Sequence, residues 1–213
     1  MPVQLNMAKI LIIALEYLEP EWKQTLNSIE QTGLPYVIVS RDGVGNMSRA
    51  YNSAIYRYKL EDYDLLWFVS NITFEPNVPL LLAQNIGEYA AIHPAMKSSD
   101  HRFQWPDCSG QVKQVPFVEF TAPMVKAEIF VDNPLDEMLP YYYMDLDFAH
   151  RIKPNKVAVH HGVQINHVYL RKNAISHPVS ELRKKLRNWW TPLSQNHMVK
   201  KWGKDWQTKL WPK

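Results

Sequence analysis

The chain has 213 residues, 46% of them hydrophobic and 12% aromatic, enough to bury a substantial core in one domain. Its formal charge of +3, from 24 Lys and Arg against 21 Asp and Glu, excludes a protein that is polycationic throughout, so any site for a polyanion must be local. The single cysteine, Cys108, excludes an internal disulfide, and no apolar run is long enough to cross a bilayer, which together predict a reducing, cytoplasmic setting.

Residues 8–15 are almost continuously apolar, as a strand covered on both faces by helices reads, and Glu16 and Glu19 follow without a small-residue cleavage site. Residues 20–31 place Trp22, Leu26 and Ile29 at helical spacing before Gly33, and 36–39 form a second apolar strand. The polar loop 40–46 then leads into a helix over 47–58, with Ala50, Ala54 and Ile55 on one face and Asn46 or Ser48 as its N-cap. Further strands are predicted at 65–69 and 90–92, with a helix over 76–85 between them. Alternation of strand and helix predicts a mostly parallel sheet with right-handed crossovers, in which ligands bind beyond the C-terminal strand ends.

Residues 97–115 include Ser98, Ser99, Asp100, Pro106, Asp107, Ser109 and Gly110 with little periodicity, which predicts an irregular, mobile loop suited to cover a site. After it come a strand over 115–121, a helix or turn over 124–130, a Tyr- and Asp-dense segment over 133–151 and a short strand over 156–160. The tail from Pro178 reads as helical and basic: residues 181–213 hold nine Lys or Arg against Glu181 and Asp205, a net +7, together with five tryptophans. Such a tail suits docking on an anionic membrane, contact with nucleic acid, or packing of its tryptophans on the domain. No Gly-x-Gly-x-x-Gly or Walker pattern occurs, which ranks nucleotidyl transfer well below the reading that follows.

Residues 135–152, Leu-Asp-Glu-Met-Leu-Pro-Tyr-Tyr-Tyr-Met-Asp-Leu-Asp-Phe-Ala-His-Arg-Ile, resemble the family 2 glycosyltransferases, where a Gly-x-Phe-Asp-Glu turn leads to Glu-Asp-x-Asp-x-x-x-Arg. The resemblance implies that Asp145 takes the acceptor hydroxyl's proton while the anomeric carbon is attacked with inversion. Spacing alone puts Asp147 and Arg151 one helical turn apart, where they can pair, and lets Asp145 and Asp147 simply cap a helix. From the same segment Glu137, Tyr142 and Tyr143 are expected at the acceptor.

The first half carries the same resemblance: Ser40-Arg-Asp42 stands where that family has a nucleoside-binding aspartate. Gly45-Asn-Met-Ser-Arg-Ala-Tyr-Asn-Ser-Ala-Ile55 looks like its Asn-x-Gly-x-x-x-Ala-x-Asn-x-Gly region, making Asn46, Arg49 and Asn52 donor-site candidates, with Ala14, Glu16, Ser70 and Asn71 alongside. A helix N-terminus beside an arginine also attracts phosphate on physical grounds. Leu66-Trp-Phe-Val-Ser-Asn-Ile-Thr-Phe-Glu-Pro76 falls at the family's metal-binding motif, but Val69 and Asn71 stand at its acidic positions. Val163-Gln-Ile-Asn-His167 is similar to a short strand whose histidine contacts diphosphate or metal, with His160 and His161 as alternates. Asn71 and His167 are thus the candidate metal ligands, and a divalent cation, Mn²⁺ or Mg²⁺, is expected to bind weakly without a carboxylate, leaving Arg49 and His167 to offset more of the diphosphate charge.

Met198-Val-Lys-Lys-Trp-Gly-Lys-Asp-Trp-Gln-Thr-Lys-Leu-Trp-Pro212 resembles the Tyr-x-x-Lys-Trp-Gly ending of some family 2 relatives. Together the resemblances imply one α/β domain, GT-A-like, with a mostly parallel central sheet flanked by helices. Residues 1–95 would hold a nucleotide-sugar donor, a UDP-sugar being favoured, residues 96–177 the acceptor, and 178–213 would form the tail. The implied acceptor is a glycan, a lipid-linked saccharide, or a hydroxymethylated DNA base of the kind modified by small bacteriophage transferases. The alternative is a non-catalytic binding protein on the same fold.

Overall fold

The computed structural model describes residues 8–16, 21–40, 46–168 and 191–210. A seven-stranded sheet forms its centre, in the order β2-β1-β3-β7-β5-β8-β6. These strands are β1 (Ile10–Glu16), β2 (Tyr36–Ser40), β3 (Leu65–Val69), β5 (Ala91–Ala95), β6 (Val112–Val115), β7 (Met124–Lys126) and β8 (Val157–Gln164). Five run in one direction, as expected of a mostly parallel sheet, while β7 and β6 run against them. A second, two-stranded sheet pairs β4 (Ile72–Thr73) with β9 (Asn166–His167), and Ile72 stands opposite His167.

The continuously apolar strands are apolar because both of their faces are covered. In β1, Leu11, Ile13 and Leu15 join one core with Ala50, Tyr51 and Ala54 of α2 (Met47–Arg57). Ile10, Ile12 and Ala14 join the other, with Trp22 and Ile29 of α1 (Glu21–Glu30) and Leu82 of α3 (Val78–Asn85). Alternate residues of a strand point to opposite faces, so each residue of such a run finds its own apolar layer. An aromatic cluster fills the first core: Phe68 lies 4.9 Å from Tyr51, 5.4 Å from Phe120 and 4.6 Å from Phe130 between ring centroids.

Three expectations are corrected. The strand expected over 115–121 ends at Val115, where Pro116 supplies no N–H to continue a ladder. The helix or turn expected over 124–130 begins instead as β7, inserted antiparallel between β3 and β5, and turns into α4 (Ala127–Asp132). Residues on both sides of position 95 thus contribute strands to the one sheet. The irregular loop 97–115 holds a 3-10 turn at Arg102–Gln104 and the edge strand β6, and it is tied to β8. His161 Nδ1 lies 2.7 Å from the Trp105 carbonyl, and a Cβ on Gly162 would meet the Gly110 carbonyl at 2.8 Å. That segment is a shelf fastened to the sheet and not a detached flap.

The remaining helices are α5 (Met144–Arg151), α6, described over 191–202, and α7 (Trp206–Leu210). Met198, Trp206 and Leu210 are buried in the first core, so the described part of the tail packs on the domain. Among the described residues no helix is long and apolar enough to cross a membrane.

Candidate active site

The C-terminal ends of the parallel strands carry Glu16, Ser40, Ser70 with Asn71, and Met96, along the edge where such sheets bind ligands. Glu16 ends β1, exposed and in register with Ser40. Ala14, expected at the donor, is fully buried, and its side chain packs in the second core. Asp42 lies outside the described residues.

The helix over 47–57 begins as expected, with Asn46 as the cap: its side chain accepts from the Arg49 amide at 2.9 Å. Ser48, the alternative cap, instead donates to the Leu139 carbonyl at 2.6 Å. The donor-site candidates on α2 are largely engaged with the turn that precedes α5. Asn46 Nδ2 donates to the Glu137 carbonyl at 2.8 Å, and Arg49 Nε meets Glu137 Oε2 at 3.0 Å. Asn52, 4% exposed, donates to the Leu135 carbonyl at 2.8 Å and accepts from the Leu135 amide at 2.9 Å. α2 and residues 135–140 are thus stapled together, and Glu137, expected at the acceptor, is one of the staples. Asn52→Ala leaves both Leu135 backbone groups without those partners and should cost about 2–3 kcal/mol in chemical denaturation; a loss below about 0.5 kcal/mol, the range of an ordinary surface change, would refute the staple.

Tyr143 precedes α5 in the left-handed region at φ 67°, its ring 5.0 Å from Trp206 and its hydroxyl accepting from Gln195 at 3.2 Å. Tyr142 meets the exposed Tyr141 edge-on at 4.9 Å and lies tilted 6.3 Å from Tyr143, forming an aromatic ledge beside the start of α5.

Asp145 and Asp147 both lie in the first turn of α5, but their surroundings divide their roles. Asp145 is partly exposed, with Oδ1 accepting from the Leu146 amide at 2.9 Å. Burial pushes its carboxyl up to about 6, against the downward pull of those backbone hydrogen bonds. Asp147 is fully buried and saturated with donors: Arg151 Nε at 2.8 Å, Trp202 Nε1 at 2.9 Å and Lys201 Nζ at 2.7 Å. The pairing expected between Asp147 and Arg151 is present, and it makes Asp147 an anchor with no oxygen to spare for substrate. Lys201 also reaches Asp136 at 2.7 Å, where His197 joins at 2.9 Å. Although burial works the other way, these hydrogen bonds hold the Asp136 carboxyl down at about 2. The Lys-Trp-Gly sequence thus has a structural meaning: Lys201 and Trp202 bind the second aspartate of α5.

The β4–β9 pairing brings His167 opposite Ile72, next to Asn71, and the Val168 amide donates to the Asn71 carbonyl at 2.7 Å. Asn71 is 9% exposed at φ 54°, and its side-chain oxygen accepts no hydrogen bond among the described residues. Burial lowers the His167 imidazole to about 4, so in this structure it is uncharged at neutral pH. Arg49, the other expected source of charge, is paired with Glu137. An amide oxygen and a neutral imidazole do not fit a tightly held Mn²⁺ or Mg²⁺, which takes charged oxygen ligands, and no cluster of three His, Cys, Asp or Glu occurs among the described residues. The alternates His160 and His161 serve the 105–111 segment and β8 instead.

One acidic residue escaped the sequence reading. Glu119 lies two residues before Thr121, whose carbonyl accepts from the Ser70 amide just beyond β3, and it accepts from Ser99 Oγ at 2.8 Å. Its only signal was an acid inside the otherwise apolar run Val115-Pro-Phe-Val-Glu-Phe120.

No family model and no curated protein matches this chain. Among solved structures, it is similar to GalNAc-T7 with UDP, GalNAc and Mn²⁺, with a TM-score of 0.64 and 11% identity over 93% of this chain. The fold is GT-A-like. The chain spans about half of that transferase's length, 51%. A197 from STIV is similar over 76% of this chain and 86% of its own, with a TM-score of 0.58 and 15% identity. At these identities the likeness concerns the fold, and what the site does must be argued from its residues.

Proposed function

We propose that this protein is a family 2-like glycosyltransferase that moves a sugar from a nucleotide-diphosphate sugar, a UDP-sugar being favoured, to an acceptor hydroxyl with inversion. The observation that carries the reading is Asp145: a carboxylate raised to about 6 by burial, in the first turn of α5, on a GT-A-like sheet. A general base works best when its pKa lies near the operating pH, and this one is ionised yet basic at neutrality. In the step, the acceptor oxygen bonds to the anomeric carbon as the bond from that carbon to the diphosphate breaks. The bonding pair leaves on the diphosphate oxygen, and the acceptor proton passes to Asp145.

The Tyr141–Tyr143 ledge suits the face of a sugar or a base. The acceptor is a glycan, a lipid-linked saccharide or a hydroxymethylated DNA base. Contact with DNA or an anionic membrane through residues 181–213 falls to cations other than Lys201, since Lys201 is bound to Asp136 and Asp147.

Thermal shift and hydrolysis with UDP-, GDP- and TDP-sugars, each with and without Mn²⁺, test the reading. A UDP-sugar should raise the melting temperature and be hydrolysed slowly, with little gain from Mn²⁺. Stabilisation without hydrolysis by any donor would favour a binding protein on the same fold, and failure of every nucleotide to bind would end the proposal.

A further inference from the structure

On the edge of the sheet opposite the candidate site, a cleft of about 520 Å³ opens where β3 begins, between the end of α3 and α4. Leu65, Ile86, Ala127 and Val131 give it an apolar floor, and Val131 is 37% exposed although aliphatic. Four carboxylates edge this floor, Glu61, Asp64, Glu128 and Asp132, against one cation, Lys126. Asp64 accepts from the Lys9 amide at 2.7 Å. The side chains of Glu61, Glu128, Asp132 and Lys126 make no hydrogen bond or ion pair among the described residues. Glu128 and Asp132 stand one turn apart on α4, where like charges repel, so the rim carries a negative charge that Lys126 alone does not balance.

The chain itself carries the complement of this groove. Leu182-Arg-Lys-Lys-Leu-Arg-Asn-Trp-Trp190, which lies outside the described residues, holds four cations among leucines and tryptophans. At helical spacing Leu182, Leu186 and Trp189 or Trp190 fall on one face with the cations beside it. That is the pattern by which an amphipathic segment enters an apolar groove with a rim of opposite charge.

The two tryptophans cannot reach the groove of their own chain. Trp190 adjoins Thr191, which begins α6 one turn before Gln195, and Gln195 is bonded to Tyr143. Tyr143 stands on the strand-end side, because residues 137–140 just before it are bonded to Asn46 and Met47 at the start of α2. From there α6 runs along α5 to Trp202, whose ring lies 4.4 Å from His150. The groove is at the other end of β3, five residues away, or about 16 Å at ~3.3 Å per residue. Two residues of extended chain span only about 7 Å.

We propose that the groove between α3 and α4 receives residues 182–190 of a second copy of this chain, and that reciprocal exchange about a two-fold axis closes a dimer. The inference does not depend on the reading of the site as one of sugar transfer. Cations seated in the groove are unavailable to a polyanion, so the exchange and contact of this segment with nucleic acid or an anionic membrane exclude one another.

Sedimentation equilibrium of the full chain across a range of concentrations, at low and high salt, tests the dimer. Wild type should show a monomer–dimer equilibrium that weakens as salt rises. Glu128→Lys combined with Asp132→Lys, both on exposed residues, should raise the dissociation constant by about tenfold, and so should Arg183→Glu combined with Lys184→Glu. All four changes together should restore the dimer, which a loss of folding would not allow. If the reversed pair on α4 melts below wild type, Glu128→Gln with Asp132→Asn replaces it and should weaken the dimer in the same direction. A chain that is monomeric at every concentration and salt overturns the inference. So does a dimer indifferent to the changes on α4, which another surface must hold, or a four-fold variant no tighter than either pair.

Discussion

An Asp147→Ala variant will lose about 3–5 kcal/mol of folding stability, the range for removing one partner of a buried ion pair. Asp147 is fully buried, and its removal strands three donors: the Arg151 guanidinium, the Lys201 ammonium and the Trp202 indole N–H. Lys201 is partly exposed and retains Asp136, so Lys201→Met should cost distinctly less, and Trp202→Phe, which loses one hydrogen bond, about 1–2 kcal/mol. Urea melts followed by far-ultraviolet circular dichroism give these differences. If Asp147→Ala unfolds at the wild-type midpoint, the anchor assigned to this aspartate is wrong.

Asp145→Asn has the opposite profile. It should fold, bind donor normally and lose transfer by about 10²–10⁴-fold, the range attributed to a positioned general base. Stability supplies an independent check with a definite sign. The folded carboxyl at about 6 lies above its ordinary value of 3.8, so it opposes folding increasingly as pH rises from 3.8 through 6. At pH 8 the asparagine variant should therefore melt at or above wild type, and at pH 4 most of that difference should vanish. Single-turnover kinetics at saturating donor separate this loss of chemistry from loss of binding. Turnover equal to wild type would remove Asp145 from the mechanism.

What the sequence made legible follows from where the determining interactions lie. β1 and β3 could be read from their apolar runs because burial on both faces leaves a mark on every residue. The Asp147–Arg151 pair was legible because i,i+4 spacing on a helix is local. β7 was not, since a three-residue strand has no periodicity and exists only because β3 and β5 stand on either side of it. The order of the family-like segments put Asn46, Arg49 and Asn52 on the right helix. Their partners in residues 135–137 lie more than eighty positions away, so the sequence could not show that these side chains are engaged with that turn. Asp145 and Asp147 look alike in sequence, and only the arrival of Lys201 and Trp202 makes Asp147 a buried anchor while Asp145 stays half-buried. Glu119 is the clearest omission: its position comes from the route of its backbone past β3, which no local pattern records.

The binding of Asp147 by Lys201 and Trp202 also fixes how the molecule can fluctuate. A local opening that lifted α6 from the domain would bare a buried carboxylate in the turn that bears Asp145, so such an opening cannot be confined to the tail. α5 and α6 should behave as one cooperative unit in native-state hydrogen exchange, their slowest amides sharing a single opening free energy although some fifty residues separate them along the chain. The described tail and α5 would then tighten or loosen together, and anything that engages the tail is felt at Asp145 through the lifetime of its helix.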